Sequence, residues 1–229
     1  LSEEGTREMT QPENAAQADM AHLVAEINAN PNNWQAYADL VAVLVATENL
    51  IEAEDLALKS LGLFQANDEA LQNLLYATGN VYYVAGDYQR ANDFFGKITD
   101  LAILHDATVM QAQGWYAQNQ FQKALVYALT AVEQQPEDTG AQVLLGNIWL
   151  GLQHESKAAE AFDAAIHVDP MNFEANFGRG VVATAKGDQD NQWLATAQMI
   201  DLQRYQSQAQ RLDEIVQLLS GSRLDGESD

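Results

Sequence analysis

Residues 139–172 read TGAQVLLGNIWLGLQHESKAAEAFDAAIHVDPMN. Helix formers dominate this stretch, and its apolar residues recur at three- and four-residue spacing, the period of an amphipathic helix rather than a strand. His154 falls in a polar break near the middle, and Asp169-Pro170-Met171-Asn172 closes the stretch with turn chemistry. The preceding stretch, 105–138, has the same plan. Trp115 and Trp149, Ala124 and Ala158, Ala131 and Ala165, and Pro136 and Pro170 are each 34 residues apart. Four residue types at one offset mark an internal repeat.

Working outward, copy 72–104 carries Gly79, Tyr82, Gly86-Asp87-Tyr88, Ala91 and Phe95, is one residue short, and closes without proline. Copy 34–67 carries Tyr37, Leu40, Leu44, Ala53, Ala57 and Ser60, and Asp68 to Leu71 are inserted after it. Copy 173–201 keeps Gly180, Ala183 and Gly187-Asp188, but Gln192 replaces the alanine of the helix crossing and Arg179 stands where a core leucine is expected. This departure suits a last repeat, which has one neighbour fewer to pack against.

On these residues the chain resembles the tetratricopeptide repeat, a 34-residue helix–turn–helix unit, over about 31–201. The resemblance implies an all-α fold: a right-handed α-α superhelix, or solenoid, of about five helix-turn-helix repeats with flanking N- and C-terminal helices. Residues 13–29 carry Met20, Leu23, Val24 and Ile27 on one face and read as the second helix of an incomplete repeat. Residues 203–219 carry Tyr205, Leu212, Ile215, Val216 and Leu219 and read as a capping helix over the last apolar face. The expected organisation is a polar tail at 1–12, a single solenoid over 13–219 and a second polar tail at 220–229.

Composition narrows the function. The 229 residues are 47% hydrophobic, which excludes a wholly disordered chain, and hold 33 acids against 11 bases, for a net charge of −22. The bases are scattered singly, so no nucleic-acid partner is expected. With no cysteine, thiolate metal sites, disulfides and cysteine nucleophiles are excluded. No apolar run reaches the roughly 18 residues of a membrane span, so no direct membrane insertion is expected within this chain. The chain begins with Leu1 rather than methionine; the expectation is that a leading segment, a signal or an anchor, was removed. The compartment stays open between the cytoplasm and a location reached through such a segment.

The remaining polar residues form no recognisable catalytic or metal-binding motif. Glu52, Glu54 and Asp55 read as a solvated helix face. His22, His105, His154 and His167 lack metal-ligand spacing. Gly178-Arg179-Gly180 follows no strand, and the repeat frame places a small residue at Gly180, so it reads as packing. No enzyme activity, metal or cofactor is expected.

The resemblance implies instead a concave groove lined by the first helix of each repeat, which in that family holds an extended peptide or a partner's helix. Carried over position by position, the groove residues are Tyr76, Asn80, Tyr83, Gln113, Tyr116, Asn147, Leu150 and Phe177. Asn80, Gln113 and Asn147 are equivalent amides that can both donate to and accept from a peptide backbone, and the aromatics supply anchor area. Tyr82, Trp115 and Trp149 read as packing between repeats. Position 5 is Ala38, Tyr76, Val109, Val143 and Phe177, so the cationic clamp by which some members hold a terminal carboxylate is missing. The expected partner is another protein, offering an uncharged or basic segment. The expected function is a non-catalytic interaction scaffold, an adaptor or assembly factor; the alternatives are a self-associating homo-oligomeric module and the regulatory part of a longer enzyme.

Overall fold

The computed structural model describes residues 11–188 and 191–209, and among these all regular structure is helical. In chain order the helices are α1 (Gln11–Ala29), α2 (Trp34–Ala46), α3 (Leu50–Leu63), α4 (Asp68–Val84), α5 (Tyr88–Phe95), α6 (Leu101–Ala117), α7 (Phe121–Gln134), α8 (Thr139–Gly151), α9 (Glu155–Val168), α10 (Phe173–Ala185), α11 (Gln192–Ile200) and α12 (Leu202–Ala209). They form two compact units, divided between Ala107 and Thr108. In the first, α2 pairs with α3 and α4 with α5; in the second, α8 pairs with α9 and α10 with α11. The later part of the expected capping helix (210–219) and both tails, apart from Gln11 and Pro12, lie outside the described residues.

Helices α4, α5, α8, α10 and α11 start where the sequence offers a side-chain acceptor for an otherwise unbonded first-turn N–H, whereas α2, α3, α7 and α9 start without one. Asn67 accepts from Ala70 N (3.1 Å), Asp87 from Arg90 N (3.1 Å), Asn172 from Ala175 N (2.9 Å) and Asn191 from Leu194 N (3.0 Å). Asp138 accepts from Gly140 N (2.8 Å) and Ala141 N (3.1 Å). The residues Asp68 to Leu71, an insertion in the repeat frame, are the first turn of α4. Likewise α6 begins at Leu101, four residues ahead of the frame, while α5 has 8 residues against 14 in α3, α7 and α9. Gly96 stops α5, and Gln72 Oε1 accepts from Thr99 N (2.7 Å) and Asp100 N (3.1 Å), anchoring the loop before α6.

The turn inside each pair is the same device five times. Glu48, Gly86, Asn119, Gln153 and Gly187 have φ of 60°, 78°, 57°, 61° and 100°. The next residue donates its N–H to a carbonyl five back: Asn49 to Leu44 (2.9 Å), Asp87 to Tyr82 (2.9 Å), Gln120 to Trp115 (2.9 Å), His154 to Trp149 (2.8 Å) and Asp188 to Ala183 (3.1 Å). This is the left-handed closure of a helix end that satisfies carbonyls left over by the last turn. The intervals between these residues are 38, 33, 34 and 34, so the extra four residues, the missing one and the period all appear in the backbone.

Small residues let the helices approach. Ala53, Ala57, Ala91, Ala124, Ala128, Ala158 and Ala165 are all at 0% exposure. In the first unit Val41, Ala53, Ala57 and Val81 form one core group and Phe64, Ala70 and Leu74 another. In the second, Trp115, Leu145, Ile148, Trp149 and Phe162 form the main core, and Phe173, Phe177, Val181 and Leu194 a smaller one. The fold is an all-α helical-repeat solenoid.

Candidate functional site

The first helices of the pairs each bury one stripe and leave a second half-exposed. On α4 that second stripe carries Tyr76, Asn80 and Tyr83, all half-buried. Tyr76 tilts against Phe95 with ring centroids 5.6 Å apart, and Tyr83 meets Tyr88 edge-on at 5.3 Å. Burial raises the hydroxyl pKa of Tyr76, with the Asp106 carboxylate adding to the rise and a hydrogen bond from Asn80 opposing it. Burial also raises that of Tyr83, with Tyr88 contributing. These phenols stay neutral, able to donate and to accept.

In the second unit Gln113 and Tyr116 on α6, with Asn147 and Leu150 on α8, occupy the corresponding stripes and are half-buried. Tyr116 lies against Phe121 at 5.7 Å, the same arrangement as Tyr83 and Tyr88, and burial raises its hydroxyl pKa. Leu150 leans on the core of Phe173 and Phe177. Phe177 is placed differently: its ring is 8% exposed, stacked on Phe173 at 5.9 Å and met edge-on by Tyr205 of α12 at 6.0 Å. Arg204 adds to this cover, with its guanidinium 4.6 Å from the Phe173 ring and paired with Glu174. Most of the Phe177 side chain is therefore part of the core under α12.

Two sets of amides separate by their partners. Gln142 Nε2 donates to Pro136 O (3.2 Å), and Asn176, 34 residues on, donates to Pro170 O (3.0 Å) and Asn172 O (2.9 Å). These buried amides fasten a helix to the turn before it. Gln113 and Asn147, also 34 apart, have no hydrogen-bonding partner among the described residues, so both ends of each amide are open to water or to a ligand.

The other aromatic row is structural. Tyr82, Trp115 and Trp149 are 4%, 8% and 9% exposed, and each carries a cation over its ring: Arg90 at 4.3 Å, Lys123 at 4.2 Å and Lys157 at 4.3 Å. Tyr82 Oη also donates to Glu54 Oε1 (2.8 Å), which joins α3 to α4. His154 and His167 are exposed, whereas His105 is buried. Among the described residues no group of three His, Asp or Glu could hold a metal ion, and no helix is long and apolar enough to cross a membrane.

Residues 151–209 match the family model described as Tetratricopeptide repeat. Residues 151–209 belong to the tetratricopeptide-repeat family, and the fold of the chain is that of a tetratricopeptide solenoid. Solved structures similar to it include YrrB, described as a TPR protein with an unusual peptide-binding site, which is 23% identical with a TM-score of 0.60 over 82% of this chain and 97% of that one. MamA from Desulfovibrio magneticus RS-1 is 21% identical with a TM-score of 0.59, covering 80% and 96%. Pseudomonas aeruginosa pilF is 14% identical with a TM-score of 0.65, covering 84% of each. At these identities the likeness is one of fold. No curated protein matches the chain in sequence.

Within the tetratricopeptide frame, Gly178 and Gly180 are packing residues: a Cβ at either would stand 2.5 Å from Phe162 or 2.6 Å from Leu194. Arg179, in the place of a core leucine, reaches sideways to Asp163 (2.9 Å) and lies 3.9 Å over Trp193. The 34-residue frame read over 31–201 does not by itself reveal that α12 covers Phe177; the signal in the sequence is the apolar face of 203–219, Tyr205 included, which reads as a capping helix.

Proposed function

We propose that this chain is a non-catalytic protein-interaction scaffold, an adaptor or assembly factor, whose first helices hold an extended peptide or a helix of a partner protein. The observation that carries this reading is the pair Gln113 and Asn147: equivalent amides, half-buried, with no partner among the described residues. A half-buried amide gains from a peptide backbone that offers both a donor and an acceptor. Tyr76, Asn80 and Tyr83 on the first unit, and Tyr116 and Leu150 on the second, supply further area and polar tips, and tyrosine carries binding energy at low entropy cost. Phe177 would contribute mainly as support for Leu150.

The chemistry favours an uncharged or basic segment. None of these residues is cationic, so a terminal carboxylate finds no clamp, while Asp106 beside Tyr76 and the net charge of −22 attract a base at the edge. The fold likeness to YrrB, described by its unusual peptide-binding site, supports the reading without identifying a ligand.

The test is affinity capture from the source cells with the wild-type chain and a Tyr83→Ala/Asn147→Ala variant of equal helicity. A partner held by the wild type and lost by the variant is the expected result; equal capture by both overturns the assignment to the first helices. A self-associating module is the second reading, favoured by exposed aliphatics such as Ile51 and Leu101, at 82% and 84%. Sedimentation across concentration checks it, and a persistent monomer removes it.

A further inference from the structure

The first helices of the first unit offer acids and no base. Asp39 on α2, Asp68 and Glu69 on α4 and Asp106 on α6 are all exposed, and α2, α4 and α6 contain no lysine or arginine. The described bases of this unit are engaged elsewhere: Lys59 with Asp55 (2.6 Å), Arg90 with Asp87 (2.5 Å) and Lys97 over the Phe94 ring (4.6 Å). Asp68 and Glu69 lie in the first turn of α4, where the helix's own positive end already favours them.

Asp106 is placed differently. It stands beside the half-buried Tyr76, whose hydroxyl Asn80 also meets, and no cation acts on that hydroxyl. Asp106 has no hydrogen bond or ion pair among the described residues. Tyr76, Asn80 and Asp106 thus bring a ring, an amide and an unpaired carboxylate together within the first unit.

The last repeat shows how an acid at this place is met. Glu174 stands two 34-residue periods after Asp106. Arg204 of α12 pairs with it and holds its guanidinium 4.6 Å from the Phe173 ring, while the next residue, Tyr205, meets Phe177 at 6.0 Å. There the chain supplies its own arginine. At Asp106 it supplies none, although the acid and a ring are both present.

Resting on the reading that the first helices hold a segment of a partner, we infer that Tyr76, Asn80 and Asp106 form a specificity subsite for one lysine or arginine side chain of that segment. The stem of the base lies along the Tyr76 ring, and its cationic head bonds to the Asp106 carboxylate. Asn80 holds the phenol in place.

The test selects binders to the full chain from a displayed library of random peptides and measures their affinity by the anisotropy of the labelled peptide. The expected binders share a lysine or arginine at one position. Asp106→Asn, isosteric and at an exposed position, should weaken them about fivefold. Replacing the shared base by glutamine should cost as much, and the two changes together no more than either alone. Glu52→Gln, which removes a charge from α3, should leave the affinity unchanged and so separates the subsite from the net charge of −22. Binders without a shared base, an equal loss from Glu52→Gln, or additive losses from the paired changes would overturn the inference. The first-helix reading survives those results if Tyr83→Ala/Asn147→Ala releases the same peptides. Peptides that this variant holds as tightly as the wild type, or a library that yields no binder, overturn both.

Discussion

Phe162 of α9 is at 0% exposure, and glycines from two other helices face its ring. A Cβ on Gly146 of α8, or on Gly178 of α10, would stand 2.5 Å from it. An alanine in a helix interior gains about 1 kcal/mol of propensity over glycine. Overpacking a rigid, enclosed ring costs about 1–3 kcal/mol, and here the ring is confined from both sides, so the clash wins. Gly146→Ala and Gly178→Ala should each lower stability, by up to about 2 kcal/mol net. Gly62 of α3 is the control: nothing lies within 4 Å of its Cβ position, and Gly62→Ala should raise stability by about 0.5–1 kcal/mol. Urea unfolding of the three variants is the measurement, and a gain in all three would remove the steric account. Gly146 was legible in the sequence as a packing residue, because the repeat frame places a small residue there and at its equivalent Gly180, whereas Gly178 lies two residues off that position. That both address one ring could not be read, since it depends on α9 lying between their helices.

The turns inside the helix pairs show a similar division. Gly86 and Gly187 announce a left-handed residue, and the 34-residue frame predicts a turn near Gln153. The sequence does not reveal that Glu48, Asn119 and Gln153 themselves adopt positive φ, because closure of the helix pair imposes it on side chains that resist it. Gln153→Gly and Glu48→Gly should therefore each stabilise by about 0.5–1 kcal/mol, and Gly187→Ala should destabilise by a similar amount. Thermal unfolding checks this, and a loss from Gln153→Gly would contradict the turn geometry. At the start of α5, Asp87 accepts from the Arg90 backbone N–H at 3.1 Å and from its side chain at 2.5 Å, and these bonds hold its pKa below the ordinary 3.8. A carboxylate whose pKa is depressed in the fold adds stability above its unfolded value and loses it as pH falls through the folded one. Asp87→Asn keeps a cap acceptor but not the charge, so the wild type's advantage over it should be full at pH values well above 3.8 and fade as the pH falls from 3.8 through the lower folded value. Equal acid sensitivity of the two proteins would exclude Asp87 as a contributor.

For the whole molecule, 33 acids against 11 bases give a self-repulsion that salt screens. Raising salt from about 0.05 M to about 0.5 M should increase the melting temperature, although exposed pairs such as Lys59–Asp55, at 2.6 Å, weaken under the same change. A fall instead would show that attractive pairs outweigh the net repulsion. The fold class was legible because four residue types repeat at one interval, and the candidate face was legible as far as that interval reaches. Asn80, Gln113 and Asn147 follow from the period, whereas the cover on Phe177 comes from α12. That cover is not a periodic property. The repeats are also not interchangeable parts. A segment carrying Phe162 fits only between neighbours that present a bare backbone at the places of Gly146 and Gly178. Anyone splicing 139–172 into another array carries Gly146 along with Phe162 but must also transplant Gly178, so the smallest portable module extends beyond one period toward the C-terminus.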